Sequence, residues 1–233
     1  MTREWGAQIA LCVAAYLYGS IPFVYLIGRG RGVDLRQHGS GNLGGSNLWV
    51  AAGAGRGLLG WLGDASKGYT PVALGRRLGV DERACRLAGV CGLAGQCWPI
   101  FLRFRGGRGI SAFLGAALAS DRPAWRITLL PMIGGALWRV APLLGQGGLA
   151  GRLRATRSRS MPRGCALGVL AYPLAVARRT QDAHSLGAAP LLLAATVVVR
   201  RLTAPLPDDS TAGPGRRPAA LLYRLLYDRN TKD

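Results

Sequence analysis

The chain has 233 residues, 49% of them apolar, and its 30 lysines and arginines outnumber 11 acidic residues to give a formal charge of +19. The mean hydropathy is still positive, at +0.19. Length allows one domain, and the charge favours an anionic partner: a nucleic acid, a lipid surface or an anionic substrate. Long apolar runs without interleaved surface aromatics argue against the nucleic acid.

The first predicted element is a membrane-spanning helix over Ala7–Gly28, which are 22 residues without a charge. At a rise of about 1.5 Å per residue it would be about 33 Å long, enough to cross a hydrocarbon core of about 30 Å. A signal peptide is the alternative. Against it, Glu4 stands beside Arg3, the run is long, and no small-residue cleavage site follows. We therefore predict a retained transmembrane helix.

Five further apolar runs follow along the chain. They are Leu87–Leu102, Ile110–Ser120, Ile127–Ala150 with Arg139 as its one charge, Gly164–Ala177 and Ser185–Val199. Several are shorter than an ideal span, which predicts tilted, short or partly buried helices. A soluble helical bundle is the alternative, but apolar runs that recur between arginine clusters favour a membrane protein.

Arginines cluster where these runs end, and their positions predict an orientation. The first span is followed by Arg29, Arg31 and Arg36, and the Leu87 run is followed by Arg103, Arg105 and Arg108. The Ile127 run is followed by Arg152, Arg154, Arg157, Arg159 and Arg163. The positive-inside rule places these three loops in the cytoplasm. The basic segment from Arg178 to His184 does not fit the rule as cleanly.

The tail from Pro205 to Asp233 differs from the rest of the chain. Its Pro-, Gly- and Asp-rich stretch predicts a linker, and "AALLYRLLYDRN" predicts a short amphipathic helix at the membrane surface. We therefore divide the chain into a transmembrane domain, residues 1–204, and a basic, partly flexible tail, residues 205–233.

Residues of the usual catalytic types are few. The two histidines are His38 and His184, and the sequence has no Ser-His-Asp order, HExxH pattern, paired acids or Walker lysine. No cysteine forms a CxxC pair and most lie in apolar runs, which predicts buried free thiols rather than a metal site or disulfides. The cysteines are Cys12, Cys85, Cys91, Cys97 and Cys165.

Two glycine-rich loops are the candidate site. They are "GSGNLGGSN", Gly39–Asn47, and "FRGGRG", Phe104–Gly109; we call them loop 1 and loop 2. Glycines let backbone N–H groups converge on an oxyanion, and a helix after each loop would point its positive end at the same anion. Ser40, Asn42, Ser46 and Asn47 add neutral donors, while Arg105 and Arg108 add charge suited to phosphate. Ordinary turns between membrane helices are the alternative.

Between the loops, "GDASKG" places Asp64 and Lys67 three residues apart, so that they can pair on one helical face. Charges at membrane depth are costly and need a partner or a cavity. Two interpretations stay open: the pair stabilises a helix end, or it has a role in the site.

Four segments, in order and spacing, resemble the bacterial membrane family of acyl-phosphate:glycerol-3-phosphate acyltransferases. They are "YLYGSIPFVYLIGR" (Tyr16–Arg29), "GVDLRQHGSGNLGGSN" (Gly32–Asn47), "GDASKG" (Gly63–Gly68) and "GQCWPIFLRFRGGRGISAFLG" (Gly95–Gly115). The resemblance implies an all-α integral membrane bundle of about seven transmembrane helices, some short. It also implies a place in the bacterial cell membrane, with the site facing the cytoplasm.

The resemblance further implies a reaction. Family members transfer an acyl chain from acyl phosphate to the 1-hydroxyl of glycerol 3-phosphate, giving lysophosphatidate, and need neither a metal nor acyl-CoA. Since acyl phosphate is already activated, positioning and charge stabilisation can supply much of the catalysis. The implied substrate-binding residues are Ser40, Asn42, Gly44, Ser46, Asn47, Asp64, Lys67, Arg105, Gly106, Gly107, Arg108 and Gly109. No catalytic base is assigned, and the expected partners are the two substrates and membrane lipids, not nucleic acid.

The sequence departs from the family pattern in several places. Gln96 replaces a usual histidine, Val50 replaces a usual arginine, and Arg105 and Arg108 replace lysines. The family's His-Arg-x-Asn motif has no clear counterpart around Arg200, although basic charge is kept there. Each lost charged contact to a phosphate would cost about 1.5–3 kcal/mol. The alternative function is therefore a catalytically weak or inactive paralogue that binds an anionic lipid or partner.

Overall fold

The computed structural model describes residues 2–38, 41–144, 160–179 and 187–203, and in these ranges the only regular structure is helical. The helices are α1 (Thr2–Ser20), α2 (Phe23–Arg29), α3 (Gly45–Ala52), α4 (Ala54–Arg77), α5 (Glu82–Cys97), a 3-10 turn (Ile100–Leu102), α6 (Ile110–Ser120), α7 (Arg122–Leu144), α8 (Ser160–Arg179) and α9 (Ala189–Thr203). The predicted all-α class is confirmed. Ser40, the arginines of residues 152–159, His184 and the predicted tail lie outside the described residues.

The first apolar run is not one continuous helix. The prediction of a single helix over Ala7–Gly28 is wrong at Ile21 and Pro22, where α1 has ended and α2 has not begun. Pro22 is the cause, because it has no N–H for the helical ladder and disfavours helical geometry in the residue before it. By length and composition, the segment Glu4–Arg29 is still able to cross a membrane, and so is Glu82–Leu102.

The later apolar runs form helices that differ in length. The Leu87 run breaks at Trp98 and Pro99, after which the chain makes the short 3-10 turn. The run at Ile110 gives an 11-residue helix, which is only about 16 Å long. This confirms that some of the helices are too short to span a bilayer alone.

Large apolar side chains cover the outside of the bundle. On α1, Trp5, Ile9, Val13 and Leu17 recur every four residues and are 44–62% exposed. Similar exposed rows occur on α7 and α8: Ile127, Leu130, Ile133 and Leu137, and Leu167, Leu170 and Leu174. A small set of charged and amide side chains, by contrast, is buried in the interior: Asn47, Asp64, Lys67, Gln96, Arg200 and Arg201. This distribution is typical of a bundle surrounded by lipid.

Glycines bring the central helices into backbone contact. A Cβ atom at Gly68 of α4 would clash with the carbonyl of Ala112 on α6, and one at Gly92 of α5 would clash with the carbonyl of Lys67. Small residues at helix interfaces are typical of packing within membranes. The contacts fix the middle of α4 against the last turns of α5, where the polar interior residues lie.

Candidate functional site

A cleft lies between α2, α4, the end of α5 and the two glycine-rich loops. It contains about 220 Å³ of space, including space open to solvent. Its lining residues are Pro22, Val24, Tyr25, Leu43, Asp64, Lys67, Gln96, Pro99, Leu102, Gly106 and Gly107. The cleft therefore joins four of the segments that the sequence singled out, and it exists only in the folded chain.

Asp64, Lys67 and Gln96 form a buried network on one wall of the cleft. The Lys67 ammonium lies 2.9 Å from Asp64 Oδ1, and the two side chains are 1% and 2% exposed. This contact is an ion pair outside hydrogen-bond geometry. Lys67 also donates to Oε1 of Gln96, and Nε2 of Gln96 donates to Oδ2 of Asp64 at 2.8 Å. The predicted pairing on α4 is confirmed; its part in a binding site stays a prediction.

The surroundings of Lys67 help to keep its charge in the interior. Desolvating an ion costs several kcal/mol unless other groups compensate for lost water. Asp64 and Gln96 provide that compensation, and the ring centroid of Phe23 lies 5.2 Å from the ammonium, within the range of a cation–π contact. Phe23 is the first residue after the break at Pro22. The break in the first span thus places an aromatic ring beside the ion pair.

Loop 2 packs directly on this network. The Gly107 N–H donates to the backbone carbonyl of Gln96 at 3.2 Å. A Cβ atom at Gly107 would lie 2.8 Å from the carbonyl oxygen of Leu43 and 2.9 Å from Nε2 of Gln96. Loop 2 therefore touches both loop 1 and the Gln96 amide, and only glycine fits there without a shift. Gly109, with φ +79°, is the N-cap residue of α6, which begins at Ile110.

Loop 1 is held by the side chain of Asn47. Its Nδ2 donates to the carbonyls of Leu35, His38 and Asn42, at 3.0, 2.9 and 3.1 Å. The sequence predicted this nitrogen to face a phosphate, whereas in the structure it bonds backbone acceptors that fold the loop. The helix predicted after loop 1 is present, but it begins earlier than predicted, at Gly45 within the loop's bounds.

The predicted site residues divide into two groups. Asp64, Lys67, Gly106 and Gly107 line the cleft. Asn42, Gly44, Arg105, Arg108 and Gly109 lie in the loops beside it, Ser46 and Asn47 lie in the first turn of α3, and Ser40 lies outside the described residues. Arg108 is half-buried, whereas Arg105 and Ser46 are exposed. Val50, at the position of a usual family arginine, is 63% exposed and supplies no charge.

Two residues in contact with the site were missed. Gln96 was treated as a departure from the family pattern, yet it bridges the ion pair. The sequence indicates only basic charge at Arg200, yet this residue is 5% exposed and donates to the carbonyls of Gly106 and Gly107. The available signals were the place of Gln96 in a matched segment and of Arg200 near the missing third motif.

A second ion pair, in which Arg36 is exposed and Asp34 is half-buried, lies next to loop 1. Nε and Nη2 of Arg36 donate to the two oxygens of Asp34 at 3.1 and 2.9 Å, and Nη2 also donates to the hydroxyl of Tyr25, a cleft residue, at 2.8 Å. The hydrogen bonds from the Arg36 side chain and backbone hold the pKa of Asp34 at about 2, below its ordinary value of 3.8.

These features define a helical bundle with an apolar outer surface and a polar cleft at one end. The chain belongs to the glycerol-3-phosphate acyltransferase family, whose family model matches residues 9–146, more than half of the sequence. In three dimensions it is similar to the crystal structure of PlsY, an integral membrane glycerol 3-phosphate acyltransferase, in its glycerol 3-phosphate form. The TM-score is 0.69 at 26% identity, covering 83% of this chain and 88% of that one. The predicted integral membrane bundle is confirmed, while the number of spans stays a prediction.

Relatives named glycerol-3-phosphate acyltransferase occur in bacteria. The glycerol-3-phosphate acyltransferase of Rubrobacter xylanophilus is 42% identical over 116 residues, which are 50% of this chain and 58% of that protein. That of Laribacter hongkongensis is 39% identical over 141 residues, which are 58% of this chain and 67% of that protein. The chain thus spans less than two thirds of the first relative and two thirds of the second.

Proposed function

We propose that this protein transfers an acyl chain from acyl phosphate to the 1-hydroxyl of glycerol 3-phosphate, giving lysophosphatidate for phospholipid synthesis. The observation that carries the proposal is the meeting of both glycine-rich loops with the Asp64–Lys67–Gln96 network at one cleft. The names of the relatives and the glycerol 3-phosphate form of the similar structure support it.

The cleft suits substrates that carry phosphate. Arg108 stands in loop 2 two residues before α6, and α3 begins at Gly45 within loop 1, so the positive ends of two helices lie beside the cleft. Lys67 adds an ammonium on the lining, though Asp64 balances its charge. The surplus of positive charge beside the cleft therefore comes from the arginines and the helix ends.

The chemistry needs positioning more than a strong base. The 1-hydroxyl oxygen attacks the acyl carbon, the bond from that carbon to the phosphate oxygen breaks, and phosphate leaves with the bonding electrons. The proton of the hydroxyl passes to a phosphate oxygen, so no side chain has to keep it. Orientation of the two substrates and stabilisation of charge on the leaving phosphate then provide the acceleration.

The cleft would open to the cytoplasm of a multi-pass membrane protein. Exposed arginines at that end, Arg29, Arg31, Arg36, Arg103 and Arg105, fit the positive-inside rule. Phe104, 55% exposed in loop 2, gives the test. Phe104→Cys should react with a membrane-impermeant maleimide only after cells are permeabilised, and labelling of intact cells would place the cleft on the other side.

Turnover is tested with the purified full chain in detergent or lipid mesophase. Phosphate release from palmitoyl phosphate should require glycerol 3-phosphate, and mass spectrometry should show lysophosphatidate. Arg108→Ala should reduce release strongly, whereas Arg178→Ala, at an exposed position on α8, is the matched arginine control. No release above a boiled sample rejects the enzyme for this donor, and binding of glycerol 3-phosphate without release would favour the inactive paralogue.

A further inference from the structure

Arg200 reaches loop 2 from the last described helix. Its Nε donates to the carbonyl of Gly107 at 2.9 Å and its Nη2 donates to the carbonyl of Gly106 at 2.6 Å. The two segments are more than 90 residues apart in sequence. Arg200 therefore holds two consecutive peptide groups of the cleft lining with one rigid, planar group.

The local environment fits a buried guanidinium used in this way. The side chain is 5% exposed, and its Cζ lies 5.9 Å from the ring centroid of Trp98. A buried cation is costly unless hydrogen bonds and polarisable groups compensate for lost water. The two carbonyls and the indole supply such compensation, and lysine could not reproduce the forked geometry.

The hydrogen bonds from Arg200 also determine the direction of the Gly107 N–H on the opposite side of loop 2. In a trans peptide the N–H is directed away from the C=O, so a Gly106 carbonyl directed at Arg200 turns the Gly107 N–H the other way. That N–H donates to the carbonyl of Gln96, whose side chain bridges Lys67 and Asp64. A continuous set of hydrogen bonds thus runs from α9 through loop 2 to the buried ion pair.

Loop 2 is closely packed at its glycines, so it has little space to move. A Cβ atom at Gly106 would clash with the carbonyl of Gln96 and with Pro99, and one at Gly107 would press on Leu43. The loop is packed against α5 and loop 1 on these sides, and Arg200 bonds its carbonyls from α9. Loss of those bonds would free the loop on the α9 side.

We propose that Arg200 is a positioning residue that fixes loop 2, and with it Arg108, for the phosphate-bearing substrates. The inference rests on the proposed acyltransferase function and goes beyond it, because it makes α9, the last described helix, part of the site. It also gives the chain a means of ordering loop 2 in a region where the family's third motif has no clear counterpart.

The test compares Arg200→Lys with Arg201→Lys in the full-length protein in detergent. Arg201 is a matched control because it is 4% exposed and adjacent on the same helix, and its replacement leaves the two bonds of Arg200 in place. Arg200→Lys should lower kcat on the order of tenfold to hundredfold, as expected for small misplacements of reacting groups. A change in KM for glycerol 3-phosphate should not by itself account for the loss of activity. Millimolar guanidinium should partly restore Arg200→Ala.

Hydrogen exchange of the peptide covering residues 98–109 gives a readout that does not depend on turnover. Arg200→Lys should speed exchange there, and Arg201→Lys should not. Unchanged exchange and kcat in Arg200→Lys would overturn the proposal, as would equal losses in both variants. If the unaltered protein shows no turnover, the proposed function fails, and exchange alone decides whether Arg200 holds loop 2.

Discussion

The charged groups at the two ends of the bundle lie in different environments, buried at one end and exposed at the other. At the cleft, Asp64 and Lys67 are almost fully buried and bonded through Gln96. At the other end, Glu82 is 39% exposed and accepts from Nε of Arg76 at 2.8 Å and from Nε of Arg86 at 2.7 Å. The first group joins two helices in the interior; the second lies on the surface around the start of α5.

The same helix carries both arrangements. Glu82 begins α5 and Gln96 is its next-to-last residue, which separates them by about 21 Å along the axis. Exposed pairs contribute about 0–1 kcal/mol, whereas breaking a buried pair leaves an uncompensated charge and costs about 3–5 kcal/mol. Burial, rather than the number of ion pairs, should therefore determine how severely a substitution acts at each end.

The largest expected effect is that of Lys67→Met. It leaves the Asp64 carboxylate buried without its cation, so the free energy of unfolding should fall by about 3–5 kcal/mol. Turnover should be lost as well, because the cleft loses its ammonium. Unfolding in detergent and phosphate release measure the two effects separately.

Two variants sharpen that result. Glu82→Gln at the opposite end should lower stability by less than about 1 kcal/mol. The double substitution Asp64→Leu with Lys67→Met should recover part of the lost stability, since apolar residues often replace a buried pair without cost. Recovery should be incomplete because the buried Gln96 amide loses both of its partners, and turnover should not be recovered. If Lys67→Met is no more destabilising than Glu82→Gln, the contrast between the ends is wrong.

A smaller loss is expected for Gln96→Leu. The substitution removes the bridge to both charged groups while the ion pair remains, and hydrogen bonds to charged groups are worth about 1.5–3 kcal/mol. Gln37→Leu, at an exposed position before loop 1, is the matched control and should change stability little. Equal unfolding midpoints for the two variants would show that the bridge does not contribute.

Local features of the site could be predicted from sequence, and the long-range ones could not. Asp64 and Lys67 pair because residues three apart share a helical face, and both glycine-rich loops lie where apolar runs end. The contacts of Gln96 with Asp64 and of Arg200 with loop 2 join residues 32 and 93 apart. No periodicity encodes such distances. Proline chemistry predicts the break at Pro22, whereas the uncharged length of the run favours one continuous helix.

The tight packing of Gly107 in loop 2 predicts a loss of stability similar in size to that of Gln96→Leu. Gly107→Ala places a methyl group 2.8 Å from the Leu43 carbonyl and 2.9 Å from Nε2 of Gln96, and such overpacking costs about 1–3 kcal/mol. Phosphate release should fall with it, because the cleft lining has to move. Gly55→Ala is the control, since nothing lies within 4 Å of its added Cβ atom. Because Gly55 is the second residue of α4, its substitution should change stability little. Full activity in Gly107→Ala would contradict the tight contact.

The smallest effect on stability is expected from Arg36→Gln. It tests whether burial or proximity to the cleft determines how much the loss of an ion pair destabilises the protein. Arg36 lies near the cleft but is half-exposed, so at pH 7 the substitution should resemble Glu82→Gln. Because Arg36 holds the pKa of Asp34 at about 2 instead of 3.8, the pair's contribution is present above pH 3.8 and is lost as pH falls toward 2. Arg36→Gln should raise the Asp34 midpoint toward 3.8, as measured by carbon-13 NMR of labelled aspartate. Arg31→Gln, an exposed neighbour, should leave it unchanged. An unaltered midpoint in Arg36→Gln would mean that another group holds the carboxylate.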